Sequence, residues 1–145
     1  MQKKVIPNDM LIPQIGELLA EGREVELRPK GSSMLPFIRQ EKDNVVLRKK
    51  PYVAVGDIVL ADVGGRFVLH RVFKEDGDVL TLMGDGNVRG TESCRKKDVL
   101  GTVVAILRNG TKSVEPGKGI LWKRLLPVRR YLLAFYRRIW RPLFG

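Results

Sequence analysis

Two short segments of the chain contain residue types that nucleophilic catalysis requires. The first reads GSSMLP over residues 31–36, and the second, VLHRV over residues 68–72, contains His70, the only histidine. A serine hydroxyl is a poor nucleophile until a neighbouring group accepts its proton, and a neutral imidazole suits that role near pH 7. The pattern therefore predicts a serine nucleophile with His70 as its base. On motif grounds alone, a loop serine and a packed strand histidine are the commoner explanation.

Short strands surround both segments. Alternating apolar residues and glycine-containing turns predict strands over residues 44–49, 57–63, 66–73, 79–83 and 99–107. Leucine and isoleucine at helical spacing predict a short amphipathic helix over residues 8–20, which ends at Gly22. Many short strands without strand–helix alternation predict a mainly β domain.

The strand over residues 66–73 determines the surroundings of the histidine. Side chains alternate between the two faces of a strand, so His70 shares its face with Val68 and Val72, while Leu69 and Arg71 lie on the other face. We therefore expect His70 to lie between two valines.

Four separated segments resemble, in order and spacing, the signal-peptidase and LexA-type serine endopeptidase superfamily. They are GSSMLP at 31–36, VGDIV at 55–59, LHRV at 69–72, and MGDGN at 83–87 followed by VLG at 99–101. The resemblance covers about half of the chain and implies coiled antiparallel sheets and cleavage of a peptide or protein substrate. The base in that superfamily is lysine or histidine. His70 makes this chain more similar to the histidine type of endoplasmic-reticulum and archaeal signal peptidases.

The resemblance also implies roles for individual residues. Ser33, the serine directly before Met34, corresponds to the nucleophile, and His70 to the base. A third group commonly orients such a base. Asp85 is the favoured orienting acid, and Glu92 is the alternative.

The oxyanion hole is expected to consist of backbone N–H groups around the nucleophile. Gly31 stands where bacterial leader peptidases have a serine that assists this hole. The N–H of Ser33 is then the expected donor, with Gly31, Ser32 and Met34 supporting the loop.

Length and composition limit the organisation of the chain. Its 145 residues suffice for one core, so we predict a peptidase-like β domain over residues 1–111, a linker over 112–119 and a helical tail over 120–145. The single cysteine, Cys94, excludes an intrachain disulfide and a cysteine-based metal site. Without a histidine or cysteine cluster, a zinc mechanism is not expected, and no cofactor is predicted.

The tail combines a basic side with an apolar side at helical spacing, and no Asp or Glu follows residue 118. The basic side contains Lys123, Arg130, Arg137, Arg138 and Arg141. The opposite side contains Leu121, Leu125, Val128, Leu132, Phe135, Tyr136, Ile139 and Leu143, flanked by Trp122 and Trp140. Pro127 is expected to break the helix. This pattern predicts either an anionic membrane surface as partner or packing on the domain or on a second copy.

The net charge of +11 indicates an acidic partner. Nucleic acid is not expected, because the sequence contains no recognised helix-turn-helix or zinc finger and the apolar side of the tail favours lipid or protein. Residues 1–14 lack the long apolar run of a secretory signal, and the arginines of the tail argue against a membrane-spanning helix. We therefore expect a cytoplasmic protein, peripheral at the membrane if the tail binds lipid. The sequence leaves the oligomeric state open.

Two function classes follow from these observations. The first is a serine endopeptidase that uses Ser33 and His70. The alternative is a non-catalytic basic binding module, for a membrane surface or nucleic acid, on a peptidase-like fold.

Overall fold

A curled, mostly antiparallel sheet dominates the computed structural model, which describes residues 3–5, 12–29, 34, 37–39, 42–87 and 90–140. Among these residues, nine strands pair in the order β1-β2-β3-β8-β4-β5-β6-β7, and β9 pairs with β8. The strands are β1 (Lys3–Val5), β2 (Glu24–Leu27), β3 (Asn44–Arg48), β4 (Ile58–Val63), β5 (Arg66–Asp76), β6 (Val79–Met83), β7 (Glu92–Arg95), β8 (Val99–Arg108) and β9 (Lys112–Val114). β1 pairs in parallel with β2, and the other pairs are antiparallel. The predicted mainly β class is confirmed.

The central strand β4 is buried on both faces. Ile58 and Leu60 pack into one apolar cluster, and Val59 and Ala61 into another. Successive side chains of a strand point to opposite faces, so a continuous apolar run supplies both clusters. β4 therefore lies between the two apolar clusters, and its ladder with β5 fixes the position of the β5 backbone.

One short helix, α1 (Ile12–Ala20), covers the first of these clusters. Ile15 and Leu19 are buried there, and a side chain at Gly101 of β8 would meet Leu19 at 2.9 Å. The helix ends at Gly22, whose φ of +85° favours glycine. This part of the predicted helix agrees with the structure, whereas its residues 8–11 lie outside the described residues.

Two short helices follow β9. They are α2 (Ile120–Arg124) and α3 (Arg129–Phe135), joined by a 3₁₀ turn over Leu126–Val128 that contains Pro127, and a π-helical turn, Tyr136–Trp140, follows α3. The break therefore falls at the predicted proline. No helix in the described part of the chain is long and apolar enough to cross a membrane.

The tail contacts the β domain through polar bonds and a few buried side chains. Trp122 Nε1 donates to the backbone oxygen of Asp85 at 2.7 Å, and Lys123 Nζ donates to that of Phe73 at 2.6 Å. Arg129 and Leu133 are buried. The tail thus packs on the β domain along the side of α3 that contains Arg129 and Leu133, neither of which belongs to the predicted apolar side.

Three residues of the predicted apolar side of the tail are exposed, whereas Leu125 and Tyr136 of that side are half-buried. Val128, Leu132 and Phe135 are between 41% and 53% exposed. The docking of α3 therefore leaves an apolar row facing outward.

Candidate active site

The imidazole of His70 is bonded to the carboxylate of Glu92. His70 Nδ1 lies 2.9 Å from Glu92 Oε2, and the histidine is 6% exposed. Arg66 approaches the other carboxylate oxygen, with 3.6 Å between Nη2 and Oε1. The structure thus brings together the predicted base and the acid that the sequence offered as the alternative.

This bond determines the tautomer of the neutral ring. An ionised carboxylate only accepts hydrogen bonds, so Nδ1 must carry the hydrogen and the lone pair lies on Nε2. A carboxylate at Nδ1 also stabilises the imidazolium that forms when Nε2 accepts a proton. The pair is therefore arranged for His70 to act as a base through Nε2.

Three adjacent strands hold this pair. His70 lies opposite Val59 in the β4–β5 ladder, and Glu92 lies opposite Leu82 in the β6–β7 ladder. β6 separates β5 from β7 and ends at Met83, so the first residue of β7 reaches His70 past that end. The segment ESCR of β7 is polar, so apolar alternation does not predict this strand or the position of Glu92 beside His70.

A cleft of about 380 Å³ contains both groups. Its lining residues are Pro29, Met34, Ile38, Arg66, Phe67, Val68, Leu69, His70, Asn87 and Glu92. Pro29 and Met34 stand on either side of residues 30–33. The predicted site residues Gly31, Ser32 and Ser33 lie outside the described residues.

Met34, the residue after the predicted nucleophile, is firmly held. Its side chain is buried in the first apolar cluster, and its sulfur accepts the N–H of Asp85 at 3.4 Å. Its carbonyl oxygen accepts the N–H groups of Phe37 and Ile38, each at 3.0 Å. The end of the serine segment is therefore fixed beside the cleft.

Asp43 anchors the chain that follows. Its fully buried carboxylate accepts bonds from the N–H and guanidinium of Arg39, from Arg108 and from the N–H of Asn109. Burial acts to raise the pKa of Asp43, but the bonds from Arg39, Asn109 and Arg108 outweigh it and lower that pKa to about 2. Asp43 thus ties residues 37–39 to the β8–β9 turn.

Asp85, the favoured orienting acid, is bonded to Arg71 and not to His70. Its carboxylate accepts three hydrogen bonds from Arg71, at 2.9 and 3.2 Å from Nε and 2.8 Å from Nη2. Arg71 is the next residue after His70, so its side chain leaves the opposite face of β5. The carboxylate of Asp85 is therefore committed to the guanidinium on the far side of the strand.

Arg71 was not singled out from the sequence. Its Nη1 donates to the backbone oxygens of Gly56 and Gly117, both at 2.8 Å. One guanidinium thereby joins the turn before β4, the loop after β6 and the start of the tail. The alternation of side chains along β5 predicts only that Arg71 lies on the face opposite His70.

Comparison with known proteins adds the family. Residues 5–104 match the family described as Peptidase S24-like. The chain is 33% identical over 98 residues to the LexA repressor of Acidothermus cellulolyticus, 32% over 101 residues to that of Streptomyces avermitilis, and 31% over 101 residues to that of Streptomyces coelicolor. Each match covers 68% of this chain but 35%, 42% and 42% of those relatives. Because the family match spans more than half of its residues, the chain belongs to the Peptidase S24-like family.

Proposed function

We propose that this protein is a serine endopeptidase in which Ser33 is the nucleophile, His70 the base and Glu92 the residue that orients the base. We also propose that it cleaves a peptide or protein substrate in the manner of the histidine-type signal peptidases. The relatives are named LexA repressors, and the matched part of this chain spans less than half of their length.

The observation that carries the proposal is that Met34 lines the same cleft as His70 and Glu92. Met34 directly follows Ser33 in the sequence, and consecutive Cα atoms lie about 3.8 Å apart. The position of Met34 therefore supports the proposal that Ser33 acts on a substrate in this cleft.

In the proposed reaction, Nε2 of His70 accepts the hydroxyl proton of Ser33 as Oγ attacks the scissile carbonyl carbon. The tetrahedral oxyanion is bound by backbone N–H groups of the serine loop, that of Ser33 first, with Gly31, Ser32 and Met34 shaping the loop. The imidazolium then gives its proton to the leaving amine, and the C–N bond breaks to leave an acyl-enzyme. Water, deprotonated by the same imidazole, hydrolyses the ester and restores the serine.

A fluorophosphonate probe tests the nucleophile on the full chain. We expect one adduct on Ser33, none in Ser33→Ala, and a retained adduct in Ser32→Ala, which is the matched control. His70→Gln should slow labelling about 100-fold, because general base catalysis of this type contributes about 10²- to 10⁴-fold. Full labelling of Ser33→Ala, or no labelling of the unmodified chain, contradicts the proposal and leaves the binding-module alternative.

A second candidate function concerns the outer side of the tail. Val128, Leu132 and Phe135 are exposed, and so are Arg130 and Arg138 of the predicted basic side. No described carboxylate forms an ion pair with either arginine. A helix that exposes both apolar and cationic side chains is typical of binding to an anionic membrane interface. We include this surface in the proposal as a site for anionic lipid.

Vesicle flotation tests this surface. We expect binding to vesicles of phosphatidylglycerol, weaker binding at high salt, and loss of binding in Phe135→Ser. Tyr52→Ser, at the 84% exposed Tyr52 of the β domain, is the matched control and should bind as before. Equal binding of both variants, or binding of duplex DNA in place of vesicles, rejects the lipid assignment. Nucleic acid as a non-partner remains a prediction.

A further inference from the structure

A second cavity, of about 580 Å³, lies between the β domain and the tail. Strand residues Val72 and Phe73 border one side, and the tail supplies Ile120, Arg124 and Arg129 on the other. Arg71 and Asp85 also line it, whereas His70 and Glu92 line the cleft. The cavity is thus a separate space from the candidate active site.

Its buried charges do not balance. Arg71, Asp85 and Arg129 are 6%, 2% and 3% exposed. Asp85 is bonded to Arg71, so two buried guanidinium groups share one carboxylate. Burying an uncompensated charge is costly, and proteins usually pair such a charge or supply an ion for it.

Arg129 is the buried guanidinium that forms no ion pair with a carboxylate in the described part of the chain. Nη1 donates to the backbone oxygen of Asn87 at 3.2 Å and Nη2 to that of Trp122 at 3.0 Å, both neutral acceptors. Its buried Nε has no hydrogen-bond partner among the described residues. Desolvation lowers the pKa of Arg129, with the charge of Asp85 opposing and that of Arg71 reinforcing the change. The guanidinium therefore keeps, at the wall of the cavity, a positive charge that no described carboxylate pairs with.

The rest of the lining is largely apolar and leads outward. Val72, Phe73 and Met83 are joined at the surface by Val55 and Ile120, which are 42% and 62% exposed. Lys123 and Arg124 add further positive charge, and neither forms an ion pair with a described carboxylate. A cavity of this size accommodates a small organic ligand.

We propose that this cavity binds a small amphiphilic carboxylate, with its acidic head beside Arg129 and its apolar chain directed towards Val55 and Ile120. The carboxylate would lie beside the Arg129 guanidinium and neutralise its excess positive charge. The apolar chain would cover side chains that are otherwise exposed at the mouth of the cavity.

The site depends on the tail. Lys118, Gly119, Ile120, Lys123, Arg124 and Arg129 all follow residue 104, where the family match ends. The Peptidase S24-like match therefore covers the β-domain side of this cavity but not the side supplied by the later residues. Ligand binding should also hold the tail against the β domain, because the two sides of the site come from different parts of the chain.

Calorimetric titration of the full chain tests the proposal with three probes. Sodium decanoate supplies both head and chain, decanol only the chain, and sodium acetate only the head. We expect one decanoate per chain, bound at least tenfold more tightly than either partial probe. Arg129→Gln should weaken decanoate binding at least tenfold and leave decanol binding unchanged.

Two further variants protect the test against a misfolded Arg129→Gln. Ile120→Glu places a negative charge at the exposed mouth and should weaken decanoate binding at least tenfold. Arg23→Gln, at an exposed arginine outside the cavity lining, should leave decanoate binding unchanged. Equal affinity for decanoate and decanol, equal effects of the Ile120 and Arg23 changes, or no decanoate binding would each overturn the proposal. Fluorophosphonate labelling of Ser33 in these variants reports separately on the proposed peptidase.

Discussion

Replacing the buried Asp43 by asparagine tests how the chain after the serine segment is held. The carboxylate is fully buried and bonded to Arg39, Arg108 and Asn109. A fall in its pKa from 3.8 to about 2 corresponds to about 2 kcal/mol of folding free energy, at 1.36 kcal/mol for each pKa unit. We therefore expect Asp43→Asn to be at least about 2 kcal/mol less stable than the unmodified protein at pH 7.

The sign of the pH dependence follows from the direction of the change. Asp43 has a lower pKa in the folded than in the unfolded chain, so its contribution is complete above the unfolded value and is lost as pH falls from about 4 to about 2. The difference in stability between the unmodified protein and Asp43→Asn should therefore shrink by about 2 kcal/mol over that window.

Urea denaturation between pH 7 and pH 2, combined with NMR titration of the Asp43 carboxyl carbon, measures both quantities. Asp76→Asn, the same change at an exposed aspartate, is the control and should alter stability by no more than about 0.5 kcal/mol. A carboxyl midpoint at or above 3.8, or a stability difference that does not change with pH, would refute the reasoning.

Three other predictions concern His70, the tail and the cysteine. His70 is the only histidine, so nitrogen NMR of the imidazole should show the Nδ1–H tautomer in the neutral ring. Glu92→Gln should remove that preference and slow fluorophosphonate labelling at least about tenfold, while an unchanged ring spectrum would reject the orienting role. Gly119→Ala should lower the melting temperature by more than Gly77→Ala. Both glycines have positive φ, but only at Gly119 would the new Cβ meet Arg71, at 2.8 Å. Equal losses in melting temperature would contradict the clash. Burial, with the nearby charge of Asp98, raises the pKa of Cys94, so a thiol reagent should modify it only as the protein unfolds; rapid modification at pH 7 would count against this.

The strands with alternating or continuous apolar residues could be predicted from the sequence. The spacing of their apolar residues predicts them, because these side chains fill the two apolar clusters and the prediction does not require knowing which strand pairs with which. β4 and β6 agree closely with the predicted ranges, whereas β5 runs three residues beyond its predicted end at residue 73. Val68 and Val72 lie in the same cluster, as the alternation predicts.

The short strands β7 and β9 could not be predicted in the same way. Their segments, ESCR and KSV, are polar and become strands through pairing with β6 and β8. The choice between Asp85 and Glu92 depended on β7, since its pairing brings Glu92 past the end of β6 to His70. The side of the tail that packs depended likewise on Arg129, a charged residue that helical periodicity assigned to no apolar side.

β5 separates two spaces: His70 lines the cleft on one face of the strand, and Arg71, the next residue, lines the second cavity on the other face. A shift of β5 by one residue would exchange imidazole and guanidinium between the two spaces and so abolish both at once. The irregular pairing with β6 between Val72 and Lys74 lies just beyond this pair. An extra residue after Val72 can be absorbed at that bulge, whereas one inserted between Arg66 and His70 cannot. We therefore expect insertions in the β5–β6 hairpin to be tolerated after Val72. An insertion between the Gly64–Gly65 turn and His70 should not be tolerated.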